Sequence, residues 1–162
     1  MPEYRIRLGP AGSPLTPTIK GIAKVKELGL DALEIEFVRG VYMSVEDAKA
    51  AGALAKKLDV ELSVHAPYWI NLASSEREKV EKSRKFILDS CERAYYLGAT
   101  VVVFHAGYYQ KRTKEECYGI IKEQIAFISD AMQDKGWKVS LAPETTGKLS
   151  QFGSMDELLR LR

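Results

Sequence analysis

Only two histidines occur in these 162 residues, His65 and His105, and each ends a run of β-branched and apolar residues just before a long loop. Side chains alternate along a strand, so His65 shares a face with Glu61 and Ser63, and His105 shares one with Val101 and Val103. On a later run Glu144 lies on the face of Ser140 and Ala142, while Val139 and Leu141 point the other way. All three groups can therefore point inward at one end of a sheet. Two neutral imidazoles and an ionised carboxylate suit zinc, manganese or iron better than magnesium or calcium. A carboxylate bridging two such ions would let the pair activate a water and hold both oxygens of a phosphoryl displacement. The competing reading has the histidines hydrogen-bonded to neighbours and Glu144 paired with a lysine. Agreement of parity and depth favours the metal, since the spacing matches no short metal motif. Glu34 and Glu36 form a second carboxylate pair, for which ion pairing with Arg5 and Arg7 is the simpler reading. Cys91 and Cys117 fall in helical segments without a base beside them and read as small buried thiols. The Gly9 to Gly12 stretch lacks the Gly-Lys-Ser/Thr of a phosphate loop and reads as a turn.

The elements that must position these residues follow a βα rhythm. Strands are expected at 3–9, 31–37, 60–66, 100–106 and 138–145, and helices at 18–28, 44–58, 75–97 and 113–135, with another starting near Ser154. The links from helix to strand are tight and carry Gly29, Gly98 and Gly136, residues suited to a helix C-terminus with positive φ. The opposite links are longer and carry Pro, Gly, Tyr and Asn, as functional loops on the C-terminal side of a parallel sheet do. An open doubly wound sheet and a (β/α)8 barrel both fit such a series. Helices on both faces of a doubly wound sheet would make its strands apolar on both. Here 4–8, 32–37 and 60–65 alternate apolar with polar, which favours a barrel whose lumen holds Arg5 and Arg7 against Glu34 and Glu36.

The loop His65-Ala66-Pro67-Tyr68-Trp69-Ile70-Asn71-Leu72-Ala73 resembles the H-x-x-Y-x-I-N-L-A signature of the endonuclease IV family of apurinic/apyrimidinic (AP) endonucleases. The similarity continues, in family order, with VVVFHAG at 101–107 and LAPETTG at 141–147. The resemblance covers nearly all of the chain and implies a TIM (β/α)8 barrel of the xylose-isomerase-like type. It implies a metal-dependent hydrolase that cuts the DNA phosphodiester 5′ to abasic sites, in base-excision repair. Zinc is the implied cofactor, two or three ions in the full-length family, with manganese or iron as other options. His65, His105 and Glu144 are then the metal ligands, and Glu144 is catalytic through bridging two ions. Tyr68 and Asn71 match the family's loop tyrosine near the damaged nucleotide and its signature asparagine. For Asn71 the loop chemistry itself favours a capping role. Trp69 stands where the family usually carries an aliphatic residue, and Lys148 departs from the commoner continuation after the bridging Glu. Related barrels use the same strand-five Glu to isomerise or epimerise sugars, so a sugar isomerase or epimerase is the alternative, and an inactive barrel fragment the third reading.

Charge supports a polyanionic partner, and the resemblance implies that it is double-stranded DNA with abasic sites. The expected C-terminal loops (9–17, 38–43, 67–74, 107–114 and 145–153) contain Arg39, Lys111, Arg112, Lys114 and Lys148 and no acid, so base is concentrated where a phosphate backbone would dock. Arg39, Lys111, Arg112 and Lys148 are the candidate contacts to DNA. The same loops hold Tyr42, Tyr68, Trp69, Tyr108, Tyr109 and Phe152, which could stack on bases.

The whole-chain charge of +2, 24 bases against 22 acids, signals neither a nucleic-acid tail nor an acidic binder. The opening residues lack a secretory pattern, and no run approaches a membrane span. An intracellular, cytoplasmic protein without an obligate protein partner is expected. Residues 1–162 read as a single domain, yet a (β/α)8 barrel typically takes about 250 residues, and the strand spacing projects to a similar total. The chain is therefore expected to be an incomplete barrel of about five βα units, and on its own inactive.

Overall fold

The computed structural model describes residues 5–161. Four parallel strands form one sheet in the order β1 (Ala32–Glu36), β2 (Glu61–His65), β3 (Val101–Phe104) and β5 (Ser140–Pro143). Between them run α1 (Thr18–Glu27), preceding β1, then α2 (Val45–Leu58), α3 (Arg77–Leu97) and α4 (Lys114–Asp134). Two short strands, β4 (Gly107–Tyr108) and β6 (Gln151–Phe152), pair antiparallel above this sheet, and α5 (Met155–Arg160) follows.

Burial follows strand parity. Leu33 and Ile35, Leu62 and Val64, and Val102 and Phe104 are buried. Their alternating neighbours, among them Glu34, Ser63, His65 and Val103, are not. One face thus lies under the helices, which supply Ile22, Val25, Ala48, Ala51, Ala55, Ile87, Ala94, Ile121 and Ile128 to a single core. The other face is the polar concave side of a barrel arc, and a doubly wound sheet is excluded. The expected glycines do close the helix-to-strand turns, with φ of +75° at Gly29, +71° at Gly98 and +68° at Gly136. Helix starts are fixed by Ser44, whose side chain accepts from Asp47 N–H, and by the reciprocal Thr113–Glu116 capping box.

Two expectations for the first segment are corrected. Residues 1–4 lie outside the described residues, and 5–9 form no strand. The amides of Asp31 and Ala32 both donate to Leu8 O at 3.0 and 3.1 Å, Glu34 N–H donates to Pro10 O, and Gly12 N–H to Glu34 O. A ladder cannot continue here because Pro10 has no N–H, and Gly9 lies so close that a Cβ on it would be 1.6 Å from Ala32 O. Leu8 is thereby level with Ala32, which places Arg5 and Arg7 at the N-terminal end of the sheet. Arg5 pairs with Asp31 and Asp59, and Arg7 with Asp59 and Glu61, rather than with Glu34 and Glu36. Glu34 instead accepts from Ser63 Oγ at 3.2 Å.

The β4–β6 pair is anchored by Glu157, which is 5% exposed. Its carboxylate accepts from Tyr109 Oη at 2.7 Å, Ser154 Oγ at 2.7 Å, Ser154 N at 2.9 Å and Gly153 N at 3.3 Å. Burial pushes the Glu157 carboxyl up, but the bonds from Ser154, Tyr109 and Gly153 outweigh it and hold it below its ordinary 4.5.

Gly52 on α2 faces the end of α3, where an added Cβ would lie 2.7 Å from Leu97 O and 2.8 Å from Tyr96 O. Gly→Ala inside a helix ordinarily gains about 1 kcal/mol. Gly52→Ala is expected to lose about 1–3 kcal/mol instead, read as a lowered urea midpoint. For Glu157, a carboxyl lowered on folding contributes stability that is present above its unfolded value of 4.5 and is lost as pH falls through the lower folded value. Thermal unfolding across that acid range is therefore expected to show the advantage of wild type over Glu157→Gln shrinking as pH falls.

Candidate metal centre

The three residues singled out by parity do meet. His65 closes β2, His105 follows β3, and Glu144 follows β5. Register brings them together: His65 pairs with Val103, and Phe104 with Pro143, so His105 and Glu144 stand side by side one pleat further toward solvent. Exposure rises in that order, from 18% at His65 to 31% at His105 and 43% at Glu144 for the side chains. His65 Nε2 lies 3.3 Å and His105 Nε2 3.4 Å from the same Glu144 oxygen, Oε2. The imidazole centroids are 5.4 Å apart, and one ligand atom from each residue lies within 4.8 Å of the others. Glu144 pairs with no lysine among the described residues.

The donor chemistry fits a metal ion. His65 Nδ1 lies 2.8 Å from Ala66 O, a carbonyl that can only accept, so the neutral ring carries its proton on Nδ1 and turns a lone pair toward Glu144. Two imidazole nitrogens and a carboxylate oxygen facing one point are a donor set that a divalent cation takes. A backbone carbonyl fixing the tautomer of a ligating histidine is also the usual outer partner at metal sites. His105 differs, for its Nδ1 is buried with no hydrogen-bond partner among the described residues.

Asn71 ties the loops beneath this site. Its Oδ1 accepts from Ala73 N at 3.3 Å and from Tyr108 N at 3.2 Å, and its own N–H donates to Ser83 Oγ. Gly107 is pressed against it, since a Cβ there would lie 2.6 Å from Oδ1. These bonds are the capping chemistry expected of Asn71. Arg112 performs a related task, donating to Ala73 O at 2.5 Å from a half-buried position. Lys111, Arg39 and Lys148 are exposed. Lys148 lies with Tyr68, Tyr108 and Thr146 around a depression of about 380 Å³ that reaches His105. Tyr68 is 41% exposed and stacks on Trp69, itself 61% exposed, at 4.6 Å between centroids. Arg39 instead lines a separate, larger cavity of about 630 Å³ with Glu36 and Tyr42.

One of the loop aromatics is not available to a base. Phe152 is 1% exposed and packs edge-on against Tyr109, because β6 turns it into the core. The residues that sequence reasoning passed over are Tyr109 as a hydrogen-bond donor and Glu157. The signal for Glu157 was present, since Ser154 followed three residues later by Glu is a capping-box pattern. No helix among the described residues is long and apolar enough to cross a membrane.

Residues 22–162 match the family model described as the xylose isomerase-like TIM barrel. An uncharacterized protein of Methanocaldococcus jannaschii is 41% identical over 161 residues, covering 98% of this chain and 58% of that one. Endonuclease IV from Thermus thermophilus superposes with a TM-score of 0.73 at 27% identity, over 96% of this chain and 58% of that chain. A D-tagatose 3-epimerase-like protein does so with a TM-score of 0.72 at 25% identity, over 87% and 54%. The chain thus spans little more than half the length of these proteins. With the polar concave face, the parallel register and the ligand-type residues at the C-terminal strand ends, the match places this chain in the xylose isomerase-like TIM barrel family.

Proposed function

We propose that this protein is a zinc-dependent phosphodiesterase of the AP-endonuclease type, cutting duplex DNA 5′ to an abasic site and so serving base-excision repair inside the cell. The observation that carries the reading is the convergence of His65, His105 and Glu144 on one point beside a mouth whose rim bears lysine, arginine and exposed tyrosine. His65, His105 and Glu144 would hold the ion, and their N, N, O donor set is one that suits zinc. The chemistry supplied by divalent metal bound there is polarisation of a phosphoryl oxygen and generation of hydroxide from water at neutral pH.

The remaining tasks fall to this chain's own groups. Glu144, the most exposed of the three ligands, has its second carboxylate oxygen available to a further ion or to the attacking water. Lys111 and Lys148 hold phosphates near the depression, and Arg39 holds one further along the strand. Arg112 supports the loop beneath them. Tyr68, backed by Trp69, offers a rigid aromatic surface to the sugar left without its base. Asn71 keeps the loop of Tyr68 against the loop of His105. The second reading, a sugar isomerase or epimerase, has the likeness to the D-tagatose 3-epimerase-like protein in its favour and would use Glu144 as a metal ligand in the same place.

Removing one phosphate-holding lysine is expected to weaken DNA binding about equally across sequences and to lower the slope of log affinity against log salt by about one. Lys148→Ala and Lys111→Ala, titrated with a labelled duplex at several salt concentrations, check this. In the whole protein with zinc, a duplex carrying one abasic-site analogue is expected to be nicked on its 5′ side, and Glu144→Gln to slow the cut by at least about 100-fold. Turnover of a ketose without nicking would overturn the nuclease in favour of the epimerase.

A further inference from the structure

We propose that Glu157, which touches none of the three metal-binding candidates, is a positioning residue that sets their separation; the proposal rests on the reading that His65, His105 and Glu144 hold a divalent ion. His105 and Glu144 are the first residues beyond β3 and β5, and Glu144 N–H still donates to Phe104 O at 2.9 Å; past that bond the ladder ends, and the sheet does not fix the path of one loop against the other. Glu157 supplies that constraint. Its carboxylate takes Tyr109 Oη from the His105 loop at 2.7 Å, and the N–H groups of Gly153 and Ser154 from the far end of the Glu144 loop at 3.3 and 2.9 Å. Gly153 in turn leans on the ligand itself. Its carbonyl accepts from Thr146 N at 3.1 Å, and a Cβ on it would stand 2.7 Å from Glu144 O. The same two loops pair as β4 and β6, with Tyr109 N–H donating to Ser150 O.

Capping of α5 alone does not account for the arrangement. The capping box is complete with Ser154 and Glu157, so the bond from Tyr109 is an addition to it, and it draws a phenol into a site where burial and the adjacent Glu157 push its ionisation up. What the addition does is join the His105 loop to the Glu144 loop a short distance from both ligands. The 3.4 Å separation of His105 Nε2 and Glu144 Oε2 is then held from two sides, by the bond from Glu144 N–H to Phe104 O and by this brace.

The test is binding of Co²⁺ alone, followed by its visible absorption and by competition against a chelator. Wild type is expected to bind through His65, His105 and Glu144. Tyr109→Phe deletes one hydroxyl and leaves the capping box intact, and is expected to weaken Co²⁺ binding with a changed absorption intensity, by less than the roughly 10–100-fold that losing a group bonded directly to a ligand costs. Glu157→Ala should lose at least as much, and Glu157→Gln, which keeps the shape and an acceptor, should recover part of it. Ile128→Ala, which opens the core under α4 away from these loops, is expected to lower thermal stability and keep wild-type Co²⁺ affinity. Wild-type affinity and spectrum in Tyr109→Phe would overturn the proposal, and so would an equal loss in Ile128→Ala. Absence of Co²⁺ binding by wild type, or binding that survives both His65→Ala and His105→Ala, would overturn the metal reading itself and this proposal with it.

Discussion

Two imidazoles and one carboxylate converge on a single point, and the loops of the mouth are tied together around it. In water each would be solvated separately. Folded, two imidazole nitrogens stand 3.3 and 3.4 Å from one carboxylate oxygen. Strand register creates this crowding. His65 is level with Val103 rather than with His105, so the three donors descend like steps, and the deeper ring reaches upward to the oxygen that the shallower one meets from the side. A bound ion would see donors from different heights, which is how a flat row of strand ends can present a three-dimensional set.

The strand ladders hold these positions only as far as Ala66 N–H on Val103 O and Glu144 N–H on Phe104 O, both at 2.9 Å. The loops supply what the sheet cannot. Asn71 takes the amide of Tyr108 and so binds the His65 loop to the His105 loop, while Leu72 N–H donates to Ala106 O along the same seam. Glu157 binds the His105 loop to the Glu144 loop. One amide side chain and one buried carboxylate thus brace adjacent pairs of these loops, Asn71 Oδ1 through two backbone N–H groups and Glu157 through two backbone N–H groups and two hydroxyls.

The sequence brought the three metal-binding candidates together through strand alternation. Period-2 alternation is strong where helices cover one face only, and it put His65, His105 and Glu144 on a common face without any knowledge of register. The braces were less legible. β4 and β6 are two residues each, too short to show a period, and they exist only because distant loops meet. Phe152 reads as a loop aromatic until β6 turns it inward. Parity alone matches Arg5 and Arg7 with Glu34 and Glu36, but it says nothing about level, and the Gly9-Pro10 break sets the first segment low against β1. Their partners Asp31 and Asp59 lie outside the strands, where alternation carries no information.

The proposed polyanionic substrate draws support from how charge is spread around the mouth. Of the five bases in the expected loops, Arg112 is engaged with Ala73 O, and Lys114 opens α4 and lies over the ring of Tyr109. Arg39, Lys111 and Lys148 remain, on three different loops, with Lys148 at the depression near His105 and Arg39 at the separate cavity beyond Glu36. A neutral ketose would be served by several polar groups converging on one pocket. Cations set apart along a rim instead match a ligand whose negative charges recur along its length, and binding of that kind gains from counterion release at each contact. The metal candidates sit within this line of charge, so a polyanion lying along the rim would bring one of its phosphates to them.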